Sequence, residues 1–465
     1  MSLYPPPAAR PTFATTLRSF AQGDAFPLQR LQDLCDQEHV LFGQGADDVW
    51  TPAVTLWAFL GQCLAGSKCC VAAVARVLVL RVALGLPPCS AATGAYCKAR
   101  AKLPEPWLRR LTLQVGQAVE DGVPDSWRWH SKRVLLADGA ECSLPDTPEN
   151  QKAYPQPGSQ QPGLGFPMIR LVVLLTFTSA ALVGCALGPH QGKETGETAL
   201  FRTLLDQVRA GDVVVADRYY CSYWQVALLR ECGADACCRL HQRRRYDFRK
   251  GRRLGKGDHV VSWAKPARPA WMDEDTYARL PETLSVREVR VVVTAPGCRS
   301  REILVATTLT DARAYPKEDI EELYHKRWHV ELDIRSIKQT LKMDMLSCKT
   351  PEMVRKEVWA HLLAYNLVRQ AMAEAARAKH TTPRQLSFAG AVHTLNAFRW
   401  ALLLGAPERQ GELVRAVLLA IGTHPVAERP GRCEPRKVKR RPKGYPRMMK
   451  PRAQERAELL QGAEA

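Results

Sequence analysis

Between Leu171 and Gly188 the chain runs eighteen residues without a charge, at the lower limit for a helix that crosses a bilayer. Thr176, Thr178, Ser179, Gly184 and Gly188 interrupt the run, and it is rich in β-branched residues, which favour strands over helices. Two buried strands joined near Ser179 and Ala180 suit it better. No other stretch is apolar enough to span, so no membrane partner is expected. The hairpin lies between two further strand candidates, each ending in an aspartate.

The first candidate is Val134-Leu-Leu-Ala-Asp138-Gly139, a short apolar run that reads as a buried strand delivering a carboxylate to its tip before a turn. The second is Asp212-Val-Val-Val-Ala-Asp217, followed by Arg218, Tyr219 and Tyr220. An aspartate after a strand is commonly a turn former or helix cap, so neither residue alone indicates function. Asp146, in a Pro-flanked loop, and Asp212, at a strand's start, are the nearest competitors.

A third carboxylate lies downstream in Tyr324-x2-Arg327-x3-Glu331-x3-Arg335-x2-Lys338. On a helix advancing about 100° per residue these five side chains fall within an arc of roughly 80°. One carboxylate in a row with a phenol and three cations suits a polyanion held against a metal-binding group. The same row also fits an amphipathic surface helix in which Glu331 pairs with Arg327 and Arg335 at i−4 and i+4.

Charge points the same way. The net charge is +19 and the pI near 9.4, which implies a polyanionic partner. From Glu428 to Arg452 eleven Lys and Arg face two Glu; with its prolines this segment cannot build a core and reads as an extended basic arm for phosphate backbones. A second basic stretch, His241 to Lys256, carries eight Lys and Arg against one Asp, with Tyr246 and Phe248 interleaved, as in a DNA contact loop. Fifteen cysteines lack the Cys-x2-Cys and His-x3-5-His spacings of a zinc site. Met1 is followed by Pro-rich sequence rather than a secretory leader. The cysteines are therefore expected to be reduced and mostly buried, in a cytoplasmic protein associated with the nucleoid when bound to DNA.

Apolar spacing predicts helices over Thr51–Leu64, Val71–Val82, Ala91–Ala101 and Pro106–Val119. The third, with Ser90 as a plausible cap, exposes Tyr96, Lys98, Arg100 and Lys102 and is either a DNA-recognition helix or part of a plain helical bundle. Further helices are expected over Glu197–Ala210, Ser222–Cys232, Val354–Ala376, Thr382–Leu404 and Glu412–Ile421, and strands over Val286–Thr294 and Ile303–Thr308.

The Tyr324, Arg327, Glu331 and Lys338 spacing resembles the signature of the insertion-sequence-four family of bacterial DDE transposases. So does the sequence around the aspartates: Leu-Pro-Asp-Thr-Pro-Glu-Asn150 after Asp138, and Asp-Arg-Tyr-Tyr from Asp217. The resemblance covers about residues 45 to 452. It implies an α/β fold: a ribonuclease H-like core with an all-β insertion, preceded by a helical domain and followed by helices and a basic tail. The expected divisions are 1–46, an N-terminal segment; 47–130, helical and DNA-binding; 131–240, the first part of the core; 241–308, the insertion; 309–404, the rest of the core with Glu331; and 405–465, a C-terminal helix and basic tail.

The resemblance also implies a reaction, metal-dependent strand cleavage and transfer at the inverted-repeat ends of an insertion sequence, by cut and paste. Asp138, Asp217 and Glu331 would hold two Mg²⁺, for which Mn²⁺ could substitute, with Asp138 bridging both. Mg²⁺ takes hard oxygen ligands and keeps several waters, so a few carboxylates suffice, and two ions can activate the nucleophile and stabilise the leaving oxygen. Arg327, Arg335 and Lys338, with Arg218 and Tyr324, would contact double-stranded DNA, both element ends and target, in a homodimeric complex. Trp263, after the strand-like Val260-Val261, is a candidate to stack a flipped terminal base; the competing reading of Trp263 and Trp271 is as core residues. The alternatives to an active transposase are a catalytically idle DNA-binding regulator on the same scaffold and a structure-selective nuclease.

Overall fold

The structure, a computed structural model, describes residues 39–43, 45, 48–292, 302–426 and 448–461. The basic arm falls mostly outside them. Among the described residues four helices come first: α1 (Pro52–Leu64), α2 (Cys70–Ala83), α3 (Gly94–Lys102) and α4 (Glu105–Asp121). Thr51 caps α1 by accepting the Val54 N–H, with Pro52 at the first turn, where its missing N–H costs nothing. On α4, Trp107, Leu108, Leu111, Val115 and Val119 form one buried face.

Strands and helices then alternate: β1 (Val134–Ser143), α5 (Pro148–Ala153), β2 (Met168–Thr176), β3 (Leu182–Pro189), α6 (Glu197–Arg202), β4 (Val213–Ala216), α7 (Tyr223–Glu231) and β5 (Asp235–Arg239). Next come β6 (Arg252–Gly255), β7 (Asp258–Ala264), α8 (Glu274–Arg279), β8 (Thr283–Val292) and β9 (Glu302–Thr307). The chain continues through α9 (Lys317–His325), α10 (Trp328–Arg335), a π-helical turn (Ser336–Thr340), α11 (Pro351–Ala378), α12 (Phe388–Leu404), α13 (Gln410–Gly422) and α14 (Arg452–Gln461).

The nine strands among the described residues form one mixed sheet in the order β3-β2-β1-β4-β5-β9-β8-β7-β6. The Leu171–Gly188 run is the antiparallel β2–β3 hairpin, with Ala180 at positive φ in its turn. Among the described residues no helix is long and apolar enough to cross a membrane. The alternation of β1 sends Val134 and Leu136 into a core shared with α4 and α11, and Leu135 and Ala137 into the core beneath α6 and α7. One close approach fixes α4 against the sheet: a Cβ on Gly116 would lie 1.9 Å from the Leu182 carbonyl oxygen. Asn366 of α11 completes that junction. Its amide donates to the Thr112 and Leu182 carbonyls and its oxygen accepts the Leu182 N–H, three buried bonds contributing about 1 kcal/mol each.

Several expectations change. The stretch expected as an all-β insertion does not form a separate sheet; β9 pairs with β5, so its strands extend the core sheet, and it includes the helix α8. Arg287, fully buried, ties it down through paired bonds to Asp258 of 2.8 and 2.6 Å and a 2.6 Å bond to the Tyr315 carbonyl. The helix expected to Ala210 stops at Arg202. Ser90 does not cap α3: the N-cap is Thr93, without a side-chain bond. Nor does α3 present Tyr96 and Arg100 outward. Tyr96 is fully buried and its hydroxyl donates to Gln62, while the Arg100 guanidinium lies over the Phe59 and Tyr96 rings. Lys98 and Lys102 are the basic residues it exposes.

Candidate active site

Parallel pairing of β1 with β4 joins residues 79 positions apart, from Val134–Val213 to Leu136–Val215. The register is clamped one residue earlier. The Arg133 guanidinium donates to both Asp212 oxygens, at 2.8 and 2.6 Å, across the same interval of 79. Both side chains are buried, so Asp212 is occupied structurally. The other competitor, Asp146, accepts from Gln151 in its loop. Counting on from the clamp by the same interval sets Asp138 level with Asp217. β4 ends at Ala216, so Asp217 stands at a strand tip, as its sequence suggests, and caps the following turn by accepting the Tyr219 N–H at 2.8 Å. Asp138 does not stand at a tip. It lies mid-strand, paired opposite Val173, and β1 continues through Gly139 to Ser143.

Glu331 arrives on α10, which packs against β1. The helix expected to run unbroken from Tyr324 to Lys338 is divided. α9 ends at His325, α10 starts at Trp328, and the junction is tightened by Arg327 N–H to Tyr324 O and Val330 N–H to Arg327 O bonds. The presumed outward row therefore splits. Tyr324 is buried in the main core, and burial pushes its phenol well above the ordinary value; its ring is not open to DNA. Arg327 turns inward, with Nη2 2.6 Å from Glu331 Oε1 and Nη1 3.8 Å from Asp138 Oδ2. Arg335 is exposed and Lys338 half-buried in the π-helical turn. Arg218 is also half-buried and donates to Gln242 in the basic loop at 2.9 Å.

One guanidinium thus bridges two carboxylates from β1 and α10. Burial, and then the charges of Asp217 and Glu197, push the Asp138 carboxyl up to about 6, against the Gly139 N–H bond and Arg327, which pull it down. Such a site is short of positive charge. Its donors are hard oxygens, which suit Mg²⁺ or Mn²⁺. Among the described residues no three His, Cys, Asp or Glu side chains close tightly enough to hold a metal ion; Glu331 is engaged by Arg327 instead.

The helix bearing Glu331 is anchored from behind. Asp333, on the opposite face of α10, is buried and accepts from Arg369 at 2.7 Å and Arg384 at 2.9 Å. Nothing in the sequence marked this triad, whose members lie 36 and 51 positions apart.

Trp263 is a correction. It is buried, its indole N–H donates to Glu288 at 3.1 Å, and the Arg244 guanidinium covers its ring at 3.7 Å. A base has no open face to stack on there. The competing reading, a core tryptophan, fits the packing, because a polar-tipped ring at the end of β7 is satisfied from within. Trp271 is partly buried beneath Arg202.

Residues 129–367, which include all three carboxylates, match the family model described as a transposase DDE domain. The chain is also 31% identical over 363 residues to the transposase InsG of insertion sequence element IS4 from Escherichia coli K12, covering 76% of this chain and 78% of that protein. This chain belongs to the DDE transposases of the insertion-sequence-four family. It is therefore a DNA transposase, an enzyme of DNA cleavage and strand transfer. More partial similarity joins this transposase to a putative transposase InsZ of the same organism, at 26% identity over 31% of this chain and 48% of that one. The transposase of element IS421 from Escherichia coli is 32% identical over 18% of this chain and 22% of its own. Among solved structures, the piggyBac transposase synaptic complex with hairpin DNA overlays 90% of this transposase and 87% of that chain, at 11% identity and a TM-score of 0.42, too remote a likeness to argue from.

Proposed function

We propose that Asp138, Asp217 and Glu331 are the catalytic carboxylates of this transposase, on a ribonuclease H-like core formed by β1 to β5 and the helices on either face. The order β3-β2-β1-β4-β5, with β1, β4 and β5 parallel and β1-β2-β3 antiparallel, supports that core. The observation that carries the site is Arg327, whose guanidinium lies between Glu331 and Asp138 while Asp217 stands level with Asp138. Two carboxylates 193 positions apart in sequence share one cation, which is the electrostatic demand that a divalent ion would meet more strongly.

When bound, two Mg²⁺, or Mn²⁺ in their place, supply charge stabilisation and nucleophile activation for in-line displacement at phosphorus. Asp138, Asp217 and Glu331 are the residues that would hold them. In the first step a water oxygen bonds to the scissile phosphorus, the P–O3′ bond breaks and the 3′-oxygen leaves as a hydroxyl. In the second that 3′-hydroxyl attacks a target phosphodiester and displaces its 3′-oxygen. Glu331 has to leave Arg327 to serve as a ligand, and the freed guanidinium is then placed to hold a phosphate. Arg335, Lys338 and Arg218 extend that positive surface, while Tyr324 supports Arg327 from the core side. The partner is double-stranded DNA, element ends and target, cut and pasted by a homodimer in which two ends are processed together. The helical region before β1 and the basic arm supply DNA contacts outside the core.

The test is to incubate the purified protein with linear DNA carrying the inverted repeats that bound its reading frame, with and without Mg²⁺. Mg²⁺-dependent nicking at the repeat boundary is the expected result. Tight binding with no nicking would support an idle regulator. Cleavage that ignores the repeats and follows branched structure would support a nuclease.

A further inference from the structure

A fourth carboxylate reaches the same place from the opposite face of the sheet. β4 stops at Ala216 while β1 runs to Ser143, and their pairing ends at Leu136–Val215. Beyond that point the side of β1 next to Asp217 is open. Glu197, the first residue of α6, is half-buried there. A Cβ built on Gly139 would lie 2.4 Å from both Cδ and Oε1 of Glu197, so the carboxylate occupies the space a side chain at 139 would take, beside the backbone of Asp138's neighbour. Negative charge faces it from Asp217 and Glu141. The nearest cation, Arg170, donates to Glu141 and to the Thr195 carbonyl and stands beside His190. Among the described residues no hydrogen bond or ion pair holds Glu197. A structural glutamate would be expected to have a partner.

A second observation is independent of that carboxylate. The Tyr220 hydroxyl is buried, at 2% exposure, with no hydrogen-bond partner among the described residues. The charges of Glu197, Asp138 and Asp217 all bear on it. Leaving a buried phenol O–H unbonded is costly, and such an orphan calls for an explanation, an absent ion or water being one.

We propose that Glu197 is a fourth carboxylate of the active site, one that closes on Asp138 and Asp217 as they take up a divalent cation, since without the ion no three such side chains among the described residues converge tightly enough to hold it, and that the Tyr220 hydroxyl donates to the ligands around it. The assignment rests on the reading of Asp138 and Asp217 as metal ligands given above. It explains why glycine follows Asp138 in mid-strand, where a residue without a side chain weakens a sheet: Gly139 makes room for Glu197.

The test is Mn²⁺ binding to the full-length, DNA-free protein, read from the electron paramagnetic resonance signal of free Mn²⁺, with folding checked by circular dichroism. Glu197→Gln should weaken Mn²⁺ binding about a hundredfold and Tyr220→Phe about tenfold, the range seen when supporting groups of a metal site are removed. Asp138→Asn should weaken it more. Wild-type affinity in Glu197→Gln alongside lost affinity in Asp138→Asn would overturn the role of Glu197 alone. Retained affinity in Asp138→Asn would instead overturn the underlying site. If Glu197→Gln fails to fold, Glu197→Asp, which withdraws the charge by one methylene, replaces it with the same expectation and the same overturning result.

Discussion

Replacing Asp138 by Asn should make the metal-free protein more stable, and only above a defined pH. The wild-type carboxyl sits at about 6 instead of its ordinary 3.8, chiefly because burial disfavours the charged form. Between roughly pH 4 and 6 the folded chain therefore holds more protons than the unfolded one, so stability falls as pH rises through that window. At about 1.4 kcal/mol per pH unit the full penalty above pH 6 is at most on the order of 3 kcal/mol. The side chain keeps 21% of its exposure, and solvent screening argues for roughly 1–2 kcal/mol. Asn is isosteric and retains an oxygen to accept the Gly139 N–H, bonded at 2.9 Å in the wild type. Urea unfolding of both proteins from pH 3.5 to 8, in chelator, should give equal stabilities at the acid end and an advantage to Asp138→Asn at pH 7.5. Millimolar Mg²⁺ should narrow or reverse that advantage, because a ligand bound by the folded state alone stabilises it. A pH-independent difference, or equal stabilisation of both proteins by Mg²⁺, would refute the reasoning.

Further expectations follow from the packing and the charge. Trp263→Ala should lower stability by about 3–5 kcal/mol, as for a buried aromatic, in thermal or urea unfolding; a stable variant that nicks normally but processes cut ends slowly would restore the stacking role. Asp333→Asn, which leaves Arg369 and Arg384 without a buried anion, should cost about 3–5 kcal/mol and loosen the helix bearing Glu331; unchanged unfolding would show that the triad is not needed to hold it. Deletion from Arg429 onward should weaken binding to every DNA and flatten the dependence of affinity on salt, because fewer counterions are released; an unchanged slope would place the arm away from DNA.

What the sequence made legible was order and kind: two carboxylates delivered by strands, an apolar hairpin between them, and a glutamate among cations on a later helix. Those signals are local, and local periodicity survives folding. Asp138 was misplaced at a strand tip because Asp-Gly has the composition of a turn. Gly139 is accounted for instead by Glu197, packed against it from 58 positions away, a contact no local pattern encodes. Tyr96 and Tyr324 failed for a related reason. Helical spacing identifies residues that share a face but does not say which face the core will take. Tyr324 lies on the core side of its helix. Tyr220 had a visible signal, its place directly after Asp217-Arg218-Tyr219. Glu197 had none beyond opening a helix.

The most direct measurement is single-turnover cleavage of repeat-bounded DNA in Mg²⁺ by Asp138→Asn, Asp217→Asn and Glu331→Gln, with binding to the same DNA measured in parallel. Each substitution is expected to slow cleavage at least about a thousandfold, on the order of 4 kcal/mol of barrier, while binding changes by no more than a few-fold. Near-normal cleavage by any one of the three, in a variant that folds and binds DNA, would remove that residue from the catalytic set.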